Sequence, residues 1–259
     1  YFPGNSIAHK LDPRTKILLV TLYIIALFSA KGWMGYAVMA VTLAACVKVS
    51  HVGLRALVRG LKPLVFIIAF TGILNMFFTP DTHYLWEWGI LRVSVKGIEN
   101  ALFMVIRIML LVMGTFLMTY TTSPIRLTDG LESLLNPLKK IHVPVHELAM
   151  MMAIALRFIP TLIEETDKIM SAQKARGADF DSGNIFQKAK ALVPILVPLF
   201  ISAFRRADEL ATAMECRCYH GGEGRTKLHV LKYQRRDYVA LAGGVVILAL
   251  VVVLRRLGT

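Results

Sequence analysis

The first 122 residues alternate long apolar stretches with short polar connections. Apolar residues fill roughly 15–30, 33–50, 63–80 and 97–122, and a fifth stretch lies at about 237–254. A helix needs ~20 mostly apolar residues to cross the ~30 Å hydrocarbon core of a bilayer. The pattern therefore predicts about five transmembrane helices.

Two of these helices have recognisable starts. Asp12 can cap free backbone amides, and Pro13 fits the first helical position. By the same logic, Pro63 after Lys62 marks the start of the third apolar helix.

After Ser123 the pattern changes to helical periodicity with charges. It predicts a short helix at 124–136, a long one from about Val145 to Arg176, and another from about Asn184 to Tyr219. Gly177 suits the left-handed residue that ends a helix. At ~1.5 Å per residue, the two longer helices would reach ~45–50 Å.

Both long helices are apolar in their first half and charged in their second. Leu148–Ile159 carries only Arg157, and Ala191–Phe204 is nearly wholly apolar. The later halves carry Glu164, Glu165, Asp167, Lys168, Lys174, Arg205, Arg206, Asp208, Glu209 and Glu215. These charges oppose simple crossing, so we expect both helices to lie along the cytoplasmic membrane face, available to another protein.

Together these patterns predict an all-α integral membrane protein with about five transmembrane helices and a cytoplasmic set of long coupling helices. We expect a membrane domain of about four spans at 1–122, a cytoplasmic coupling-helix domain at 123–236, and a final transmembrane helix at 237–259.

Composition supports membrane insertion and sets an orientation. The chain is 56% apolar, with a mean hydropathy of +0.57 and a net charge of +13. Lys10, Arg14 and Lys16 lie at or before the start of the first span, and connections rich in Lys and Arg stay in the cytoplasm. We therefore expect the N-terminus and 123–236 on the cytoplasmic side. The basic charge follows span ends without a basic tract interleaved with aromatics, which argues against nucleic-acid binding.

Candidate metal and catalytic constellations are weak. Cys216, Cys218 and His220 are residue types that bind zinc, but a fourth ligand is missing. His142 and His146 have a metal-site spacing, yet a proline between them opposes a regular helix. No glycine-rich segment has the ending of a phosphate-binding loop. We expect no metal, cofactor or catalytic residue in this chain.

Two short arginine motifs lie 41 residues apart, Ala175-Arg176-Gly177 and Cys216-Arg217-Cys218. Aligning the arginines also matches Asp167 with Asp208. One such arginine is an ordinary complement to a helix C-terminus. Two of them, each flanked by small residues, indicate a pair of side chains that insert into a partner protein. Guanidinium suits this role because it offers planar, bidentate hydrogen bonding to carboxylates and carbonyls.

Two further features leave alternatives open. Arg107 lies in the fourth span, where it is either a functional charge or a structural, snorkelling side chain. The twelve methionines, including Met150 and Met151, either fill the core or form an adaptable partner surface.

At these residues the chain resembles the transmembrane, or T, component of energy-coupling factor transporters, the ABC-type importers of vitamins and metal ions in prokaryotes. The likeness covers most of the chain. It includes Asp12-Pro13-Arg14-Thr15-Lys16, Arg157-Phe158-Ile159-Pro160, Met214-Glu215 and the two arginine motifs. The family's usual second motif is Ala-Arg-Gly, and here cysteines replace both neighbours of Arg217.

The resemblance implies a scaffold and energy transducer in the prokaryotic cell membrane. Arg176 and Arg217, with their flanking residues, would each insert into one of two ATPase subunits, which carry the ATP and magnesium. The long helices would also hold a membrane-embedded, substrate-binding S component, for which Met150, Met151 and Leu196 are candidate contacts. ATP hydrolysis would then move that component and release its cargo inside.

Two other function classes stay open beside this one. A stand-alone transporter is expected to carry ion-pathway charges within its spans, and few exist beyond Arg107. A membrane enzyme needs a convergent set of catalytic groups.

Overall fold

A computed structural model describes residues 2–79, 84–88, 91–178, 180, 184–221 and 230–256; at 78, 84–88, 91–93 and 185 it describes the backbone alone. The helices and strands are α1 (Ile7–Lys10), α2 (Pro13–Ser29), α3 (Gly32–Ser50), α4 (Leu54–Leu61), α5 (Val65–Phe78), β1 (Tyr84–Trp88), β2 (Leu91–Ser94), α6 (Val95–Thr121), α7 (Pro124–Leu135), α8 (Val145–Ala175), α9 (Ile185–Cys216) and α10 (Arg235–Arg256).

The chain forms two compact units. The first comprises 1–134 and 230–259, and the second comprises 135–229. The first unit therefore contains α1–α6, β1, β2, α10 and all of α7 except Leu135, while the second contains α8 and α9. These units are defined by internal contacts, so the division into membrane and cytoplasmic domains stays a prediction.

The core of the first unit lies where α2, α3 and α6 meet. Leu27 and Met39 are fully buried there, together with Leu57 of α4 and Val251 of α10. Burying such side chains contributes ~1.5–3 kcal/mol each when the alternative is water. Many other apolar side chains of these helices are exposed, as expected for helices that a bilayer surrounds.

A polar junction joins the starts of α2 and α10 to α7. Asp12 accepts a hydrogen bond from the Arg14 backbone N–H at 2.9 Å, which confirms the predicted helix cap. The buried Asp237 accepts one from the Asp12 backbone N–H at 2.8 Å. Arg14 donates to Ser133 Oγ at 3.1 Å and lies 4.2 Å from the ring centroid of Tyr233. One arginine thus joins its own segment to two others that are distant in sequence.

Lys16 ties the same junction to the end of α6. Its buried ammonium donates to the carbonyl oxygen of Thr121 at 2.9 Å and to Thr122 Oγ1 at 3.0 Å. Helix α7 approaches α2 so closely that a Cβ at Gly130 would lie 2.8 Å from Cβ of Pro13. A side chain at this position would therefore separate the two helices.

The third apolar span begins earlier than predicted, although Pro63 does lie at the start of the 3₁₀ turn that leads into α5. The helical segment begins at Leu54, after Gly53, and passes through a 3₁₀ turn at Lys62–Leu64 before α5. Proline suits the first positions of a helical turn because it lacks a backbone N–H, so Pro63 marks the change of helix type. Gly53 makes no side-chain cap, which is why its position carried no start signal.

A short antiparallel hairpin precedes α6 and was not predicted. Strands β1 and β2 pair with Glu87 opposite Arg92 and Trp88 opposite Leu91. Apart from Ser94, their side chains lie outside the described part of the structure. The segment does not change the fold class, because helices make up nearly all of the described chain.

Six helical segments of the described chain are long and apolar enough to cross a membrane, judged by length and composition. They are Gly32–Ser50, Leu54–Phe77, Val95–Thr121, Val145–Ala175, Phe186–Cys216 and Arg235–Arg256. The predicted span at 15–30 corresponds to α2, whose 17 residues reach ~25 Å. The predicted all-α membrane fold is confirmed. Length and average composition do not separate α8 and α9 from spans, because each averages an apolar half with a charged one.

Candidate functional site

Helices α8 and α9 form the second unit and enclose a groove between them. The groove has a volume of about 310 Å³. It is lined by Ile154, Phe158 and Leu162 of α8, and by Ala203, Arg206, Ala207, Leu210, Ala211 and Met214 of α9. Lining residues recur every four positions on both helices, a spacing typical of helices that cross at roughly 50°. The small alanines of α9 let the two backbones come close.

One ion pair joins the charged halves of the two helices. Arg206 Nη2 donates to Glu165 Oε2 at 3.1 Å. Hydrogen bonds from Ser202 and Arg206 lower the pKa of Glu165 below its ordinary value.

The ion pair connects equivalent positions of the arginine repeat. Glu165 and Arg206 are 41 residues apart, the same offset that separates Arg176 from Arg217. Arg176 therefore follows Glu165 by the same number of residues as Arg217 follows Arg206, which is ~16 Å along each helix. We call the segments from Glu165 to Arg176 and from Arg206 to Arg217 the first and second arms; they have equal length.

The first arm ends in a Schellman motif, a pair of backbone hydrogen bonds that closes a helix. Ala178 N–H donates to the carbonyl oxygen of Gln173 at 3.0 Å, and Gly177 N–H donates to that of Lys174 at 3.0 Å. Gly177 has φ +87°. The predicted left-handed helix end at Gly177 is therefore confirmed, and Arg176 occupies the capping position just before it.

The second arm ends in the same two hydrogen bonds. Tyr219 N–H donates to the carbonyl oxygen of Met214 at 3.0 Å, and Cys218 N–H donates to that of Glu215 at 2.8 Å. Cys218 has φ 55°, so a cysteine takes the left-handed position that Gly177 occupies in the first arm. Arg217 is therefore the structural equivalent of Arg176.

Both motif arginines are exposed. Within the described ranges, neither guanidinium has a hydrogen-bond or ion-pair partner. Their small neighbours Ala175, Cys216 and Cys218 are exposed as well. The structure thus presents two bare guanidinium groups on similar helix ends, each able to enter a pocket on another protein.

The apolar halves of both helices carry exposed side chains. Among the predicted contacts, Met151 and Leu196 are exposed and Met150 is half-buried. Sequence reasoning missed three large exposed residues of this face, Phe186 at 83%, Phe200 at 61% and Phe204 at 68%. A seven-residue spacing of apolar positions from Phe186 through Val193 to Phe200, and from Val197 to Phe204, was the available signal.

The residues of zinc-binding type near Arg217 do not form a metal site in the described structure. Cys216 and Cys218 are exposed free thiols, and His220 Nδ1 donates to the carbonyl oxygen of Cys218 at 2.8 Å. No group of three or more metal-ligating side chains occurs in the part of the chain that the structure describes.

Comparison with known proteins assigns the family. The model of the cobalt transport protein family matches residues 4–228. A transmembrane protein of an energy-coupling factor transporter from Ruminiclostridium cellulolyticum is 52% identical over 254 residues, covering 98% of this chain and 95% of the relative. The chain belongs to the family of energy-coupling factor transporter transmembrane proteins. The relative from Clostridium kluyveri is 56% identical over 241 residues, covering 93% of this chain and 89% of its own.

A more distant relative bears the same description. The energy-coupling factor transporter transmembrane protein of Bacillus subtilis is 47% identical over 255 residues, covering 98% of this chain and 96% of the relative. The predicted family is thereby confirmed. The chain is a membrane-embedded transport subunit of an energy-coupling factor transporter, and its two arginine ends belong to that subunit.

Proposed function

We propose that the chain is the scaffold and energy-transducing subunit of an ATP-driven importer of vitamins or other micronutrients. Arg176 and Arg217 each dock one ATP-binding subunit, and the apolar halves of α8 and α9 hold a membrane-embedded S component that carries the substrate. ATP and magnesium bind to the ATPase subunits, and this chain performs no hydrolysis itself.

One observation carries the ATPase assignment, the repetition of an exposed arginine on the same helix end. Isolated exposed arginines are common on surfaces. Two with matching backbone hydrogen bonds, at equal distances from the Glu165–Arg206 pair, suit two similar receptors. The planar guanidinium favours pockets lined with carbonyl oxygens or carboxylates, because it can donate to them in pairs.

The S component is the partner best suited to the apolar halves. Phe200 and Phe204 expose large aromatic surfaces, and aromatic side chains dominate the energy of protein interfaces. Arg206 Nε in the groove is buried and has no acceptor among the described residues, so a carbonyl oxygen from a bound helix would satisfy it. An apolar membrane protein with a few polar backbone groups fits both features.

The arrangement also supports transmission of motion. Each arm is part of a single continuous helix, despite Pro160 in α8 and Pro194 and Pro198 in α9. A continuous helix transfers displacement along its axis because its backbone hydrogen bonds resist bending. The ion pair links the arms, so movement of one docked ATPase changes the position of the other arm and of the apolar surface. This geometry requires the second unit to face the cytoplasm, as the positive charges of the N-terminal region also favour.

A co-purification experiment with two reciprocal variants tests the proposal. Arg176→Glu with Arg217→Glu should abolish uptake and release the ATPase subunits, because carboxylates replace both guanidinium donors, while the S component still co-purifies. Leu196→Glu with Met151→Glu should release the S component and keep the ATPases, because both changes place charge on the apolar surface. Lys188→Glu, an exposed charge reversal on α9 away from its tip, should leave both partners bound.

Normal uptake with ATPases still bound in the double arginine variant would refute the docking assignment. If the S component remained bound to the Met151 and Leu196 variant, the apolar surface would have another role.

A further inference from the structure

Arg107 of α6 lies in a cluster of aromatic side chains that the transducing role leaves unexplained. The cluster comprises Phe28, Trp33, Tyr36, Phe103 and Arg107. Arg107 Nε donates to the Tyr36 hydroxyl at 2.9 Å, and the guanidinium carbon lies 5.7 Å from the ring centroids of Phe28 and Tyr36. Phe103 lies 5.2 Å from Tyr36 and 4.9 Å from Trp33, measured between ring centroids.

Burial within the cluster separates a supporting side from an open side. Tyr36 is 4% exposed, whereas Phe28 and Trp33 are 59% and 55% exposed. Arg107 itself is half-buried. Tyr36 therefore holds Nε from the protein side, and the exposed Phe28 ring lies beside the guanidinium on the open side. The exposed Trp33 joins the cluster through its contact with Phe103.

The charge of Arg107 has no counter-ion within the described chain. Among the described residues, the Tyr36 hydroxyl is the acceptor for Arg107, and it bonds to Nε. The two terminal amino groups of the guanidinium therefore still have hydrogens to donate. An ionised guanidinium in a span is costly unless an anion or water satisfies it. An anion from outside the chain would remove this cost.

The depth of the cluster identifies where that anion comes from. Lys16 donates to the carbonyl of Thr121, which places the start of α2 level with the end of α6. Arg107 lies ~21 Å from Thr121 along α6, and Phe28 lies ~18 Å from Lys16 along α2. In a hydrocarbon core of ~30 Å, a charged side chain at this depth reaches the nearer headgroups. The first turn of α3, with Trp33, begins at that same end.

We infer that Arg107 binds the phosphate of a phospholipid in the leaflet that contains the α2–α3 connection. The two terminal amino groups of the guanidinium donate to the phosphate oxygens as a bidentate pair. Phe28 and Trp33 lie against the glycerol and upper acyl chain, as aromatic side chains do at membrane interfaces. Tyr36 is a positioning residue, since it fixes the guanidinium without touching the lipid. The site is independent of the docking arginines.

Lipid binding to the purified full chain in a neutral detergent tests this site. The probe is dioctanoyl phosphatidylglycerol, with dioctanoylglycerol as the phosphate-free match and inorganic phosphate as the lipid-free match. Wild type should bind and be thermally stabilised by the phospholipid, with little effect of either match. Arg107→Gln should weaken binding by about tenfold, because both charged hydrogen bonds are lost. Arg107→Lys should retain part of the affinity.

Two controls keep the test decisive. Tyr36→Phe keeps the charge and should give an intermediate loss, even if Arg107→Gln fails to fold. Arg59→Gln, an exposed arginine on α4, should bind the lipid as wild type does. Unchanged lipid affinity in folded Arg107→Gln would overturn the inference, and loss of the S component by that variant with lipid binding intact would assign Arg107 to a protein partner. Equal stabilisation by inorganic phosphate would contradict a lipid site.

Discussion

At the end of α8 the left-handed residue is Gly177, with φ +87°, whereas at the end of α9 it is Cys218, with φ 55°. The same pair of backbone hydrogen bonds forms at both ends. A glycine adopts this conformation freely, but any residue with a Cβ is strained there by ~1–2 kcal/mol. The fold of the arm therefore tolerates this strain to keep the arginine in place.

This difference shows what the two motifs have in common. The helix end and its distance from the Glu165–Arg206 pair are preserved, while the neighbours of the arginine change from Ala175 and Gly177 to thiols. Backbone geometry thus positions the guanidinium, and under the proposed docking the neighbouring side chains would determine how closely a partner approaches. The end of α9 carries more bulk beside its arginine than the end of α8.

Reversing one charge of the ion pair that links the two arms should have the largest effect, a loss of uptake. Glu165→Arg alone, or Arg206→Glu alone, places like charges at a contact of 3.1 Å and should lower uptake by roughly tenfold. The exchanged pair, Glu165→Arg with Arg206→Glu, should recover uptake to within about twofold of wild type because attraction is restored. Uptake assays with all three variants measure this.

If the exchanged pair transported no better than the single variants, the contact would not link the arms through its charges. Normal uptake in both single variants would show that the Glu165–Arg206 pair has no role in transport.

Exchanging the two left-handed residues should have a smaller effect, seen in stability. Gly177→Cys should lower the free energy of unfolding by ~0.5–1 kcal/mol, and Cys218→Gly should raise it by a similar amount, because the strain of a Cβ outweighs the flexibility of glycine in the unfolded chain. Denaturant unfolding of the purified chain provides the measurement. Two changes of the same sign would show that the helix ends differ in more than this residue.

Local patterns made much of this structure predictable. Asp12 and Pro13 marked a helix start, and Gly177 marked a helix end, since each satisfies a backbone requirement that is written in adjacent residues. The arginine repeat was visible because a fixed offset of 41 residues survives in the sequence.

Other features depend on groups that only the fold brings together. Helix α4 starts after Gly53, which makes no side-chain cap and so gives no signal. The partners of Arg107 come from α2 and α3, and no local pattern joins Tyr36 to Arg107 across the sequence. The Glu165–Arg206 pair was hidden among many charges, because helical periodicity does not tell which charged positions of two helices meet.

Protection of thiols in the assembled transporter most directly tests the proposal that the ATPase subunits dock on the two arginine ends. Cys216 and Cys218 are exposed in the chain alone and flank Arg217, so a thiol-alkylating reagent should label them readily. With the ATPase subunits bound, labelling at both should fall by about tenfold or more, and Ala175→Cys should be protected at the first arm in the same way. Lys188→Cys, away from both tips, should remain reactive. Equal labelling of Cys216 and Cys218 with and without the ATPases would contradict docking through the arginine ends.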